Sequence, residues 1–157
     1  MAFLIDKYLP EYTYNEHHEK VIHASAEECF NAAKNLDMSR SFITKTLMKL
    51  RGMPIKDLTL QGFIKNICFT YLEEEPNKEF VIDASQPDPK IIWNFYFKET
   101  GKTETLVSTE TRILCLTKKS KSRFALYWFF VRPFSGVIRL EMLRLIKKQA
   151  ENSLPYH

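Results

Sequence analysis

The sequence predicts an α+β fold, with helices at the ends of a run of antiparallel strands. Three observations predict it. Strand-like stretches cluster in the middle of the chain, two short helical patterns precede them, and one long helical pattern closes the sequence. Strands and helices do not alternate, as they would around a parallel sheet.

The elements follow in order. Residues 12–24 are rich in Tyr, Thr, Val, Ile and His and read as a strand. Ser25 and Glu28 then form a capping box, each side chain able to bond the other's free backbone N–H. The helix that follows runs to about Leu36 and buries Cys29, Phe30 and Ala33. Asp37 or Ser39 starts a second helix, with Phe42, Ile43, Leu47 and Leu50 on its inner side and Gly52 and Pro54 stopping it. Residues 68–74 and 79–84 are strands around the turn-rich break Glu75-Pro76-Asn77-Lys78. Residues 91–98 and 103–116 are the strongest strands. Thr117 or Ser120 caps a final helix that reaches about Asn152 and is interrupted near Pro133.

The strand pair 91–116 bears on chemistry. Ile91, Trp93, Phe95 and Phe97 alternate with Ile92, Asn94, Tyr96 and Lys98, so the first set faces the interior. A two-residue loop at Gly101-Lys102 suits a type II′ turn. It would set Trp93 opposite Glu110 and Ile91 opposite Arg112, turning both charges inward. A three-residue loop would turn them outward, because a one-residue slip exchanges the faces. The inward register is the expectation.

The last helix repeats the oddity. At roughly 100° per residue, Ile138, Met142, Leu143, Leu145, Ile146 and Ala150 fill one arc, and Arg139 lands inside it. Glu141, Arg144, Lys147, Lys148 and Glu151 fill the opposite side. If the phase survives Pro133, Phe124, Tyr127, Trp128, Val131, Arg132 and Ser135 also lie inward. An arginine in an apolar face must be paired or wet. Either Arg139 or Arg112 is locked to Glu110 in a structural pair, or these groups line a cavity and orient a ligand between aromatic walls.

Composition excludes several classes. At 157 residues the chain is about one domain's worth, and residues 1–157 are read as a single domain. The hydrophobic and charged fractions, 45% and 27%, are those of a folded globular protein. The net charge of +4 is too mild to declare a nucleic-acid partner, and the apolar run at 124–131 is too short for stable membrane insertion. The start of the chain has no basic region followed by an apolar core, so no secretion signal is read. Cys29, Cys68 and Cys115 are odd in number and lack a Cys-x-x-Cys spacing. They are expected as free thiols of a cytoplasmic protein. No cofactor is expected, since four glycines build no phosphate loop. His17, His18, Glu19 and His23 suggest a metal in print. On a strand, however, His17 and His23 stand about 20 Å apart, so no metal site is expected.

The tail carries a resemblance. Trp93-Asn94-Phe95, the run from Leu106 through Glu110 and Arg112 to Ile113, Tyr127-Trp128, and Arg132-Pro133-Phe134-Ser135-Gly136-Val137-Ile138-Arg139 resemble an uncharacterised, mostly bacterial branch of the START-like superfamily. That group includes polyketide cyclases, pollen-allergen-type binding proteins and lipid-transfer domains. The resemblance is loose over most of the chain and closer over residues 91–151. Phe134 stands where a small residue is usual, and the segment 85–90 is short; both bear on the shape of a pocket.

The resemblance implies a helix-grip fold, a curved antiparallel sheet wrapped around the C-terminal helix with a cavity between them. The expected function is binding of a small, largely hydrophobic or lipid-like molecule. Trp93, Phe95, Phe97, Tyr127 and Trp128 would supply walls, and Arg139 or Arg112 would meet its polar end with Glu110 orienting the arginine. One alternative is a cyclase, dehydratase or hydrolase using Glu110 as acid or base. Another is a membrane-surface or partner-binding module using Arg144, Lys147 and Lys148. Thiol titration of protein denatured without reductant is expected to find three reactive groups; a count of one would reveal a disulfide.

Overall fold

The computed structural model of the chain describes residues 2–52, 56–66, 69–85 and 87–152. A short helix α1 (Leu4–Tyr8) leads into strand β1 (Tyr14–Ile22), and α2 (Ala26–Lys34) follows. A single 3-10 turn (Met38–Arg40), α3 (Phe42–Leu50) and α4 (Leu60–Asn66) come next. Then come β2 (Thr70–Glu75), β3 (Glu79–Asp83), β4 (Lys90–Gly101) and β5 (Glu104–Leu114), and α5 (Lys118–Asn152) ends the fold. The strands form one open, curved antiparallel sheet in the order β1-β5-β4-β3-β2. This is the α+β arrangement expected.

Local signals place several elements. Ser25 Oγ accepts the Glu28 N–H at 3.2 Å while the Glu28 carboxylate accepts the Ser25 N–H at 2.8 Å, the reciprocal cap read from the sequence. Thr117 Oγ1 accepts the Ser120 N–H at 3.0 Å and starts α5. Asn77 takes a positive φ of 62° in the β2–β3 turn, where asparagine tolerates the left-handed region. Cys29 and Cys115 are free thiols, and burial pushes the Cys29 thiol up to about 11; Cys68 lies outside the described residues.

The sheet carries apolar residues on both faces. On the concave face, Trp93, Phe95, Phe97 and Val107 pack against α2 and against Met142, Leu143 and Ile146 of α5. On the convex face, α1 lays Ile5 and Leu9 on Val81 and Ile92. The N-terminal segment was not anticipated: five helical residues are too few for a readable period. Its start is held by Glu79, fully buried, which accepts N–H bonds from Leu4 and Ile5 and a third bond from the Asn94 amide.

Four expectations need correction. The hairpin register is shifted by one residue. Trp93 stands opposite Thr111, Phe95 opposite Thr109 and Asn94 opposite Glu110, with a bulge between Glu99 and Gly101 and the turn at Lys102-Thr103. Gly101 has no positive φ, so the type II′ turn is absent. Glu110 and Arg112 therefore face outward. The helix α5 runs through Pro133 without a break, and that residue is exposed. In α3, Thr44 and Met48 face the core, while Phe42, Ile43 and Leu50 point to solvent. Glu141, assigned to the polar side of α5, is also buried and takes both donors of Arg144 at 2.8 and 2.6 Å.

Two edges bound the sheet. The β1 edge lies under α5, whereas β2 has a bulge between Tyr71 and Glu73 and then Glu73, Glu74 and Glu75 in succession. Those carboxylates are paired with Lys7, Lys34 and Lys78.

Arg112 sits beneath α1, bonded through Nε to Glu110 at 3.0 Å and through Nη1 to Asp6 at 2.6 Å and to the Leu9 carbonyl at 3.1 Å. Its bond to Asp6 holds that carboxyl below the ordinary carboxylate range. Arg112→Met is expected to cost about 3 kcal/mol in denaturant unfolding, because it strands Glu110 and frees α1. A carboxyl with a depressed folded-state value stabilises the fold above its unfolded value, about pH 4. The stability advantage over Asp6→Asn should thus be full above about pH 5 and vanish as pH falls further.

Candidate functional site

Between the concave face of the sheet and the N-terminal half of α5 lies a cavity of about 450 Å³. Such a volume suits one small organic molecule. Its aromatic wall is Trp93 from β4 with Phe124, Tyr127 and Trp128 from α5. Ile91, Ile113, Val131, Ile138 and Met142 fill in the aliphatic surface, and α3 adds Met48. The polar groups are few: Thr111, Ser135, Arg51 and Arg139.

The aromatics hold one another in place. Phe124 stacks on Trp128 with centroids 5.7 Å apart, and Tyr14 of β1 meets both rings at 5.7 and 6.2 Å. Trp93 is fixed from beneath: its indole N–H donates to Thr109 Oγ1 at 2.7 Å, and that hydroxyl donates to the Asn94 carbonyl at 2.8 Å. At the mouth, Arg51 Nη2 donates to the Tyr127 hydroxyl at 2.7 Å, linking α3 to α5.

Arg139 supplies the charge. Its guanidinium carbon lies 3.8 Å from the centroid of the Trp93 ring, a cation–π stack worth about 2 kcal/mol where water is excluded. Its Nη1 is shut off from solvent and has no hydrogen-bond partner among the described residues. Burial pushes the guanidinium down to about 10, an effect opposed by the carboxylate of Glu16. Glu16 and Arg139 form neither an ion pair nor a hydrogen bond. The carboxylate is itself buried on the inner face of β1, with Oε1 2.9 Å from His18 Nε2 and Oε2 unpartnered. Gly136 permits this closeness of helix and strand: a Cβ there would stand 3.0 Å from Glu16 Oε1.

The structure thus gathers Trp93, Tyr127, Trp128 and Arg139 around the cavity. Phe95 and Phe97 lie in the solid core beside it, packed with Phe30 and Phe80. Glu110 and Arg112 lie on the opposite face of the sheet, a direct result of the register. The carboxylate nearest Arg139's role is Glu16, missed from the sequence although strand alternation offered it: His17 and Glu19 outward put Glu16 inward. Among the described residues no group of three or more His, Cys, Asp or Glu could hold a metal ion. None of the described helices is long and apolar enough to cross a membrane.

No family model and no curated protein matches the sequence. Solved structures do match the fold. The di-domain ARO/CYC StfQ from the steffimycin biosynthetic pathway is 8% identical, with a TM-score of 0.53 over 88% of this chain, which spans 51% of its length. Norcoclaurine synthase from Thalictrum flavum, in complex with dopamine and hydroxybenzaldehyde, is 14% identical, with a TM-score of 0.53 over 91% of this chain and 89% of its own. A START superfamily protein from Mycobacterium smegmatis is 12% identical, with a TM-score of 0.50 over 89% and 99%. At these identities the likeness establishes the helix-grip fold.

A cationic group whose folded-state value is depressed weakens the fold wherever it is charged, and Arg139 is charged throughout the neutral range. Replacing a poorly paired buried charge with an apolar side chain of similar length removes that penalty. Arg139→Met is therefore expected to raise unfolding stability by about 1–2 kcal/mol, measured by chemical denaturation of ligand-free protein. A loss of stability would mean that Arg139 is a structural tie.

Proposed function

We propose that this protein binds one small, largely apolar molecule, aromatic or lipid-like, whose single polar or anionic group is received by Arg139. The observation that carries the reading is the placement of Arg139, whose guanidinium is desolvated and incompletely paired, in the lining of a cavity walled mostly by apolar side chains. A desolvated donor of this kind costs free energy when empty and gains most from an acceptor such as a carboxylate, phenolate, carbonyl or phosphate oxygen. Trp93 fixes the plane of the guanidinium, and Thr111 and Ser135 offer hydroxyls for a second polar atom. Tyr127 and Trp128 face the apolar body. A protein of the same fold holds dopamine and hydroxybenzaldehyde, both small aromatic molecules with polar substituents.

Binding is favoured over catalysis by the lining itself. Among the described lining residues there is no carboxylate, imidazole or thiol to exchange a proton near neutral pH. Glu110, the acid or base of the enzymatic alternative, faces away from the cavity.

Mass spectrometry of small molecules extracted from the natively purified protein tests the reading. A stoichiometric co-purifying compound is expected. It should be depleted at least about tenfold in Arg139→Met, a single charge-assisted hydrogen bond being worth that much, and retained in Glu110→Gln. An empty native protein, or equal retention by Arg139→Met, would overturn it.

A further inference from the structure

We infer that the face formed by α3 and the N-terminal half of α5 docks on the surface of an anionic lipid bilayer, with the mouth of the cavity against the membrane. The first ground is exposed apolar surface. Phe42 and Leu50 of α3 are 81% and 75% exposed, and Phe129 and Phe130 of α5 are 76% and 62% exposed. Large side chains gathered on adjoining elements in this way mark an interaction surface, whereas scattered single ones do not.

The second ground is charge. Residues 38–52 and 118–140 together contain ten basic side chains and not one acidic one, although the whole chain is only +4. Nine of the ten are exposed; the exception is Arg139. None of the nine forms an ion pair among the described residues, whereas six of the thirteen basic side chains elsewhere do, namely Lys7, Lys34, Lys78, Arg112, Arg144 and Lys147. Unpaired cations beside exposed aromatics are the chemistry that adsorbs to an anionic bilayer: the rings enter the headgroup boundary and the lysines meet the phosphates. A second copy of this chain fits the same face poorly, because it would bring cations against cations.

The third ground is position. Arg51 and Tyr127 line the cavity and are themselves exposed, so the cavity opens between α3 and α5. Their 2.7 Å hydrogen bond spans that opening. An apolar molecule leaving a membrane on this face would pass from lipid to the Trp128 wall without crossing bulk water. Docking here does not depend on Arg139, so the two readings fail separately.

Cosedimentation of the intact chain with phosphatidylcholine vesicles, with and without phosphatidylserine, tests the inference. Binding is expected to the anionic vesicles only, and to weaken as salt is raised. Phe129→Glu with Phe130→Glu should reduce it at least about tenfold, and Lys45→Glu with Lys49→Glu comparably, each cation near an anionic surface carrying several-fold in affinity. All four side chains are exposed, so circular dichroism should show an unchanged fold. Lys102→Glu, at the β4–β5 turn, and Arg139→Met should leave vesicle binding unchanged. No binding by the intact chain, binding insensitive to the two phenylalanines, or equal binding to neutral vesicles would overturn the inference. So would a concentration-dependent dimer that Phe129→Glu with Phe130→Glu dissolves, since that would place a second copy on this face.

Discussion

The registration of β4 against β5 decides what every other part of the fold must do. The bulge between Glu99 and Gly101 sets Trp93 opposite Thr111 and Asn94 opposite Glu110. The concave face then receives aromatics and hydroxyls, and the convex face receives a carboxylate and an arginine. Each face demands a different cover. Apolar rings want a helix laid over them, and α5 supplies it. A guanidinium that is nine-tenths buried wants acids and carbonyls, and the first nine residues bring Asp6 and the Leu9 carbonyl to Arg112. A sheet slipped by one residue would put the Glu110–Arg112 pair under α5 and leave Thr109 and Thr111 beneath α1, satisfying neither side.

Trp93 is the point where the sheet becomes a site. Its N–H is used below the ring plane's edge by Thr109, so the ring cannot turn, and its upper face is left for Arg139. The stack returns part of the cost of burying the cation, but about 2 kcal/mol does not match a desolvation penalty of several. Glu16 adds long-range attraction without closing a bond. The outcome is a charge held in position yet incompletely satisfied, an arrangement that lowers stability and, in the function proposed above, leaves the cation ready for a ligand.

Much of this was legible in the residues. Alternation placed Trp93, Phe95 and Phe97 inward, and the helical arc put Arg139 among Ile138, Met142 and Ile146. The capping box located α2. What escaped depended on information that periodicity does not contain. The hairpin register rested on a bulge at the turn, where Gly101-Lys102 gave the wrong turn a plausible chemistry. In α3 the pattern showed an apolar arc but not which arc faced the core; Thr44 and Met48 prevailed because the buried side meets α5 through small and flexible side chains, leaving Phe42 and Leu50 outside. The helix α1 is too short to show a period and is held by tertiary contacts, with Ile5 packed on Val81 and Ile92 and with Glu79 and Arg112 binding its ends. The Glu16 signal was present in the alternation of β1 and was obscured by the histidines around it.

The sheet remains open, so one strand presents unpaired backbone groups to the outside. On the β2 side the chain places a bulge and three successive carboxylates. Each carboxylate has a lysine of its own, which any incoming strand would have to displace and desolvate. The bulge also twists the edge away from the flat geometry that strand addition requires. Exposed phenylalanines such as Phe42, Phe129 and Phe130 favour association, yet the β2 edge opposes the addition of a foreign strand. The β2 edge thereby opposes growth of the backbone ladder and leaves the exposed rings to contacts between side chains.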